Sequence, residues 1–213
     1  LVGFKARSAL KSKYCTNLII STDSQDIQQE AMLHGVDVPF TRPNHLATDT
    51  ASSMDVVLHA MDWIENNTAS KYDAVMLLEP SSPFAKSIDY DAAVEIMLRN
   101  SANVVVGVRE TEINSVFVGE LDIDGRITNI IDNISNNELL RRQDFGQEYT
   151  MNGALYLFKW DFFKKTRNIY RDRHNSFGYI MDRYHSIEID ELIDLEWAEF
   201  LVEKGYVDMS FWG

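Results

Sequence analysis

The sequence predicts one α/β domain built on a doubly wound, mostly parallel sheet, and three features of the chain support this class. First, helical and strand patterns alternate from the start of the chain, which is typical of a parallel sheet with helices on its faces. Second, residues 74–78 are apolar at every position, which indicates a strand buried on both faces. Third, residues 79–84 contain two prolines, which fix the backbone and end this strand.

Each predicted helix has apolar residues at helical spacing, and polar residues mark where helices begin. Ser24 can cap a helix that Gly35 ends, and Thr50 or Ser52 can cap the next one. The predicted helices cover residues 3–13, 25–34, 53–64, 88–98, 160–165 and 191–202. The predicted strands cover residues 17–23, 36–40, 74–78, 103–108, 153–158 and 186–190, with a loop at 166–178.

Residues 116–150 are predicted to form an insertion within the single domain 1–213. The dipeptide Asp124-Gly125 stands between two apolar runs, which is a hairpin signal, so we expect an antiparallel ribbon here. Residues 132–149 are polar and lack the apolar content of a packed segment. They are either a loop or an arm that is ordered by a partner.

The overall charge limits the possible partners. The net charge is −13, and no cluster of Lys and Arg offers a surface for nucleic acid. No apolar run approaches the length of a membrane span, and no basic and apolar leader is present, so we expect no membrane partner. The single cysteine, Cys15, excludes an internal disulfide and favours a cytoplasmic location. An anionic ligand would need local arginines, backbone amides or a divalent metal.

Polar side chains follow the strand at residues 74–78, where ligands bind in many α/β sheets. Glu79, Ser81 and Ser82 come directly after this strand, and the carboxyl ends of central strands are the usual place for a site. The sequence therefore predicts the mouth of a ligand site here. The alternative is a rigid turn between strand and helix that binds nothing.

A second candidate site consists of Glu188 and Asp190. The two residues are two apart on a predicted strand, so both carboxylates should lie on one face. Paired carboxylates supply the oxygen ligands that Mg²⁺ prefers. The alternative is a solvated acidic strand end, and Asp194, one turn further along, can cap the following helix.

Two further groups of residues suit an anionic ligand. Arg141 and Arg142 carry planar guanidinium groups that pair with carboxylate or phosphate, and Gln143 adds an amide donor. Arg42 begins a loop that leads to a helix start near Ser52, where free backbone N–H groups favour a polar or anionic ligand. The alternatives are a solvated charged loop and simple helix capping.

Six segments follow one another in the order of a known set of motifs, and together they span nearly the whole chain. They are RP (42–43), LATDTASS (46–53), LLEPSSP (77–83), RRQD (141–144), NGALY (152–156) and IEID (187–190). In this order they resemble the acylneuraminate cytidylyltransferases, or CMP-sialic acid synthetases. The resemblance implies a Rossmann-like nucleotidyltransferase fold and a homodimer in which an arm from one subunit reaches the site of the other. Residues 132–149 fit such an arm.

The resemblance also implies a reaction in which CTP and a nine-carbon α-keto sugar acid give a CMP-sugar and pyrophosphate. Asp190 and Glu188 would hold Mg²⁺, and Asp190 and Arg142 are expected to carry catalysis. The positions that match cytidine contacts are Arg42, Ala51 and Ser53. The positions that match the sugar-acid pocket are Glu79, Ser82, Arg141, Arg142, Gln143, Asn152 and Gly153.

The chain departs from the family pattern at several positions. Glu79 stands where the family usually has Gln, Ala85 replaces a common Arg, and Glu188 stands in place of Asp. The basic, glycine-rich segment that cradles the triphosphate is expected before Leu1, so we expect the sequence to be truncated there. Legionaminic and pseudaminic acid are therefore alternatives to N-acetylneuraminate. A non-catalytic nucleotide- or sugar-binding module, or a transferase for another nucleotide, is an alternative to this enzyme.

Overall fold

The computed structural model describes residues 1–136 and 146–212, and within them it shows a mixed sheet of four strands. β3 runs antiparallel to β1 and to β2, whereas β4 runs parallel to β2. β1 and β2 therefore point in the same direction with β3 between them. The strands, in the spatial order β1-β3-β2-β4, are β1 (Ala74–Leu77), β2 (Val104–Glu110), β3 (Tyr149–Lys159) and β4 (Ser176–Ile180).

The predicted α/β class is confirmed, but the described sheet is mixed where a mostly parallel sheet was predicted: of its three strand pairs, only that of β2 with β4 is parallel. β1 pairs with β3 in antiparallel register, with Ala74 opposite Lys159. A continuous apolar run is typical of parallel strands because both of their faces are buried, but the run itself reports burial and does not fix the strand direction. β3 begins earlier than predicted, and β4 overlaps the segment predicted to be a loop.

The helices agree better with the sequence, since their caps are local. Ser24 Oγ accepts a hydrogen bond from Ile27 N, and Ser52 Oγ accepts one from Met54 N. None of the described helices is long and apolar enough to cross a membrane. The helices are α1 (Val2–Leu10), α2 (Gln25–Leu33), α3 (Ser53–Asn67), α4 (Ser87–Asn100), α5 (Thr128–Ser135), α6 (Trp160–Thr166) and α7 (Leu192–Glu203).

The two strands predicted near the start of the chain are reduced to a short parallel bridge. Ile19 pairs with Asp37, and the backbone bonds from Ile20 N to Asp37 O and from Asp37 N to Leu18 O are both 3.0 Å long. The segment at residues 18–20 continues to Thr22, whose carbonyl accepts from Arg42 N over 3.0 Å. The parallel direction agrees with the prediction, whereas the strand lengths do not.

The hairpin predicted around Asp124-Gly125 is wrong. The turn itself is present, because Asp122 N donates to Arg126 O over 3.1 Å and Gly125 has a φ of 78°. However, neither side forms a strand: Ser115–Phe117 is a 3₁₀ turn and residues from Thr128 onward form α5. The isoleucines of this segment recur at helical spacing, a period that the dipeptide signal obscured. They are Ile127, Ile130, Ile131 and Ile134.

Helices cover both faces of the sheet, as a doubly wound fold requires. Successive residues of β2 point to opposite faces, so Val105 packs with α1 and α4 while Val104 and Val106 pack with α3 and α6. This arrangement leaves the ends of the strands open to solvent and to the loops.

A third apolar cluster fixes the turn that follows β1. Trp212 is 2% exposed, and its Nε1 donates to Ser8 Oγ over 2.8 Å. Its ring lies 5.9 Å from that of Phe84, measured between centroids, so the end of the chain packs against the turn at residues 79–84. Arg7 donates to the carbonyl of Trp212, which ties α1 to the same cluster. The turn is thereby held between two distant parts of the sequence.

Candidate functional site

Three segments that are far apart in the sequence meet at the carboxyl end of β1. Ile189 N donates to Ser81 O over 2.8 Å, which places residues 186–190 beside the turn after β1. Ser82 is fully buried, and its Oγ donates to Asn152 O over 3.3 Å, which joins the same turn to β3. The structure thus brings together the predicted residues of the turn, of the NGALY segment and of the IEID segment.

Residues 186–190 are not a strand, although their side chains alternate as predicted. Ile187 is buried and Ile189 packs into the same apolar cluster as Phe84, so Glu188 and Asp190 point away from that cluster. The backbone N–H groups of Asp190 and Glu191 both donate to Asp194 Oδ2, over 3.0 and 2.9 Å. The alternative role of Asp194 as a helix cap is confirmed.

The carboxylates of Glu79 and Glu188 converge on Gly153. This glycine has a φ of 62°, a conformation that residues with side chains rarely adopt. A methyl group built at Gly153 would overlap Oε1 of Glu188 and would lie 3.3 Å from Oε2 of Glu79. Gly153 is therefore required both by the backbone conformation and by the space that the two carboxylates occupy.

Burial and neighbouring charges raise the pKa values of these acidic groups. Burial raises the pKa of Glu79, and the neighbouring charge of Glu188 raises it further. Burial likewise raises the pKa of Glu188, while Arg109 lowers it and Asp190 raises it. Burial and the charge of Glu79 raise the pKa of Tyr156 to about 12. A site of this kind favours a cation or a proton donor between the carboxylates.

Two cations near these acids are absent from the sequence-based prediction. Arg109, on β2, acts on Glu188. Lys5, on α1, is 5% exposed, and its Nζ donates to Ala154 O over 2.8 Å. A signal existed for Lys5, since it lies four residues before the buried Ala9 on an apolar helix face. Arg109 gave no signal that spacing alone can detect.

The side chain of Asn152 is fully buried and lies beneath the turn. Its Oδ1 accepts from Ala154 N over 3.2 Å, and its Nδ2 is buried without a hydrogen-bond partner among the described residues. A methyl group at Gly107 would come within 2.6 Å of Oδ1, so β2 approaches closely at this point. In this structure Asn152 supports the Gly153 turn, and its contact with a substrate stays a prediction.

The predicted cytidine-binding residues form a separate group. Arg42 bends back onto the segment before it: its Nε donates to Ser21 Oγ over 3.2 Å, and its guanidinium group also donates to Ser21 O. Ala51 is half-buried, and Ser53 is exposed at the start of α3. In residues 1–136 and 146–212, no hydrogen bond or ion pair links these three residues to the carboxylates.

The segment at residues 17–20 lies beside β1. Asn17 Nδ2 donates to the hydroxyl of Tyr72 over 3.1 Å, and Ile19 packs in the apolar cluster that contains Val75 and Leu77. Arg42 N is bonded to Thr22 O, so the loop that begins at Arg42 is attached to the end of this segment.

A surface cavity elsewhere on the molecule contains none of the predicted site residues. It is lined by the segments at 17–19 and 37–39 and by the end of α3, and its walls are apolar apart from Asn17, Asp37 and Thr68. We place the site at the carboxylates, because three of the six motifs meet there. The lining residues are Asn17, Ile19, Asp37, Val38, Pro39, Trp63, Ile64 and Thr68.

The remaining predictions concern residues 137–145 and a metal. Arg141, Arg142 and Gln143 lie outside the described residues. Within the described part of the chain, no group of three or more His, Cys, Asp or Glu side chains is arranged to hold a metal ion. The proposed pair Glu188 and Asp190 has two carboxylates, which matches the way Mg²⁺ binds one or two carboxylates together with substrate phosphates.

The burial of Lys5 predicts a pH dependence of stability. Burial lowers the pKa of Lys5 from the ordinary 10.5 to about 7, so between these values the unfolded chain binds more protons than the folded one. The free energy of unfolding should therefore rise with pH, by at most ~1.4 kcal/mol per pH unit from this group. We expect Lys5→Met to lose this rise in urea unfolding measured between about pH 7 and pH 9.

Lys13→Met is the matched control, because Lys13 follows the same helix and is exposed, with its Nζ 2.7 Å from Glu95. The pKa of Lys13 is raised, mainly by its hydrogen bond to Glu95, so it does not titrate in this pH range. An equal slope in the wild type and in Lys5→Met would contradict the prediction.

Comparison with known proteins gives a consistent family. The family model described as cytidylyltransferase matches residues 1–207. Post-translational flagellin modification protein B of Campylobacter coli is 28% identical, over 96% of this chain and 84% of that protein. N-acylneuraminate cytidylyltransferase of Escherichia coli is also 28% identical, over 96% of this chain and 46% of that protein. CMP-N,N'-diacetyllegionaminic acid synthase of Legionella pneumophila is 27% identical, over 95% and 85%.

A solved structure supports the fold independently of sequence. A CMP:2-keto-3-deoxy-manno-octonic acid synthetase, complexed with CTP, superposes with a TM-score of 0.65 at 11% identity and covers 96% of this chain and 88% of that chain. At this identity the likeness concerns the fold alone. The cytidylyltransferase family model, by contrast, matches the sequence itself over almost its whole length. The chain therefore belongs to the cytidylyltransferase family.

Proposed function

We propose that the protein transfers CMP from CTP to a nine-carbon α-keto sugar acid and releases pyrophosphate. The observation that carries this proposal is the convergence of Glu79 and Glu188 on Gly153, with Asp190 near Glu188. Three of the six motifs meet in these contacts. Family membership supports the use of CTP.

The proposed reaction requires the protein to position the two substrates and to neutralise the charge of the phosphates. In the proposed reaction, the anomeric hydroxyl of the sugar acid attacks the α-phosphorus of CTP, and the bond to pyrophosphate breaks. Little covalent work falls to the side chains. Asp190 is exposed and Glu188 is half-buried, so both can reach a ligand. When bound to these two carboxylates, Mg²⁺ would neutralise phosphate charge and lower the pKa of the attacking hydroxyl.

The substrate contacts are divided between the two groups of the site. Arg42, Ala51 and Ser53 would hold the cytidine. The turn around Gly153 would face the sugar acid, supported by the buried Ser82. The other sugar-acid contacts would come from Glu79, Asn152, Arg141, Arg142 and Gln143, with Arg142 placed to take part in catalysis.

The identity of the sugar acid is the finer part of the proposal. We favour sialic acid or a close analogue, and the alternatives are legionaminic and pseudaminic acid. Relatives at similar identity are named after N-acylneuraminate and after N,N'-diacetyllegionaminic acid. Glu79 adds an acceptor where the family usually has an amide, so the preferred sugar should present a donor group to it.

The proposed function predicts a selective nucleotide requirement. In a pyrophosphate-release assay on the full-length protein with Mg²⁺, we expect turnover with CTP and an α-keto sugar acid. Replacing CTP by ATP, GTP or UTP should lower the rate by at least ~10²-fold, since a site built to bond one base leaves its polar groups unpaired with another. N-acetylneuraminate, legionaminic acid and pseudaminic acid are compared in parallel. Binding of CTP without turnover of any sugar acid would favour the non-catalytic module.

Asp190 is expected to contribute most to the chemical step. Asp190→Asn removes the charge, keeps the size of the side chain and leaves the backbone bond from Asp190 N to Asp194 intact. We expect kcat to fall by roughly 10²–10³, the effect of losing one major charge-stabilising group. Glu199→Gln, an exposed acid on α7, is the control and should retain wild-type turnover. Near-normal Mg²⁺-dependent activity in Asp190→Asn would refute this assignment.

We also propose that the protein is a homodimer with arm exchange. Several large apolar side chains between Ile113 and Ile131 are exposed, among them Leu121 at 62% and Ile123 fully. Exposed apolar groups at this density within one segment mark an interaction surface. A second copy of the chain is the partner that the resemblance implies.

If the dimer forms through this segment, negative charge introduced at the start of α5 should disrupt it. Ile127 and Ile131 lie one helical turn apart and are 48% and 49% exposed. The wild type should sediment as a dimer, and the double variant Ile127→Asp, Ile131→Asp should sediment as a monomer at micromolar concentration. Leu33→Asp, at a position on α2 that is 80% exposed, should leave the dimer intact. A monomeric wild type would exclude the dimer.

A further inference from the structure

Lys5 lies on the face of α1 that packs against the sheet, where an apolar residue is usual. It is 5% exposed, and lysines are almost never fully buried unless they are paired. Removing the ammonium group from water is costly, and a methionine would fill the same space without that cost. The charge at this position therefore needs an explanation that packing does not give.

The ammonium group of Lys5 is bonded to the turn that carries Gly153. Its Nζ donates to Ala154 O over 2.8 Å and lies 5.6 Å from the centroid of the Tyr90 ring. Ala154 directly follows Gly153, against which the carboxylate of Glu79 lies. Lys5 thus binds Ala154, the residue that follows the glycine against which the carboxylate of Glu79 lies.

The charge of Lys5 acts on two acids, and one of them is already engaged. Asp89 accepts from the hydroxyl of Tyr179 over 2.8 Å and from Lys86 N over 2.7 Å, so it belongs to the start of α4. Glu79 is surrounded by other carboxylates, and the charge of Lys5 opposes their repulsion. The electrostatic effect of Lys5 on the site therefore falls on Glu79.

We propose that Lys5 is a positioning residue for the sugar-acid side of the site. Its ammonium group holds the Gly153–Ala154 turn and supplies the positive charge that allows Glu79 to remain beside an anionic substrate. Glu79 can then accept a hydrogen bond from a hydroxyl or amide group of the sugar acid. Lys5 touches no substrate, since its side chain is buried and its Nζ is bonded to Ala154 O. This inference rests on the proposed transfer to a sugar acid.

A double-mutant cycle tests this role in the full-length protein. The variants are Lys5→Met, Glu79→Gln and the combination of both. The assay uses CTP with the sugar acid that the wild type turns over fastest, at about pH 6.5, because the pKa of Lys5 is about 7 and its ammonium group is charged there. We expect Lys5→Met to raise KM for the sugar acid at least ~10-fold and to change KM for CTP less than ~2-fold. In the Lys5→Met background, Glu79→Gln should recover at least half of the loss, because the uncompensated charge is removed.

A stability readout separates this role from the proposed function. At about pH 6.5, Glu79→Gln should shift Tm at least ~2 °C more favourably in the Lys5→Met background than in the wild type, because only the wild type loses the attraction to Lys5. Lys13→Met is the control and should show no such coupling with Glu79→Gln.

The outcomes are distinguishable. Additive Tm shifts would overturn the pairing of Lys5 with Glu79 whatever the activity. Coupled Tm shifts with equal rises in KM for CTP and for the sugar acid would overturn the positioning role. Absence of turnover in the wild type contradicts the proposed function instead, and the Tm cycle then decides the pairing by itself.

Discussion

The site depends on the close approach of two carboxylates to one backbone turn. Glu79 and Glu188 come from segments more than a hundred residues apart, and both reach Gly153. Such an approach is unfavourable for like charges in a half-buried place: burial raises the pKa of both groups, and the charge of Glu188 raises the pKa of Glu79 further. The fold must therefore hold the charges together by contacts that do not involve them.

Those contacts are backbone hydrogen bonds and aromatic packing. The bond from Ile189 N to Ser81 O fixes one acidic segment against the turn that carries the other. Behind the turn, Phe84 packs on Trp212, which α1 binds through Ser8. These contacts hold the two acidic segments together without any bond made by the carboxylates themselves.

Two cations partly offset the rise in the pKa values of these acids. Arg109 acts on Glu188 and Lys5 acts on Glu79. Glu79 stands where the family usually has Gln. The buried Lys5 places a positive charge near this added negative charge, which makes the difference easier to understand.

The sequence by itself determined the α/β class, the helices with their serine caps, and the polar residues after the strand at 74–78, because these depend on residues close together in the chain. It did not determine that β1 pairs antiparallel, that Thr128 begins a helix in place of a hairpin strand, or that Lys5 is bonded to the residue after Gly153. Apolar runs and dipeptides report local burial and local turns. Strand direction, and which charges meet, are decided by contacts between distant segments, and only the tertiary structure contains those.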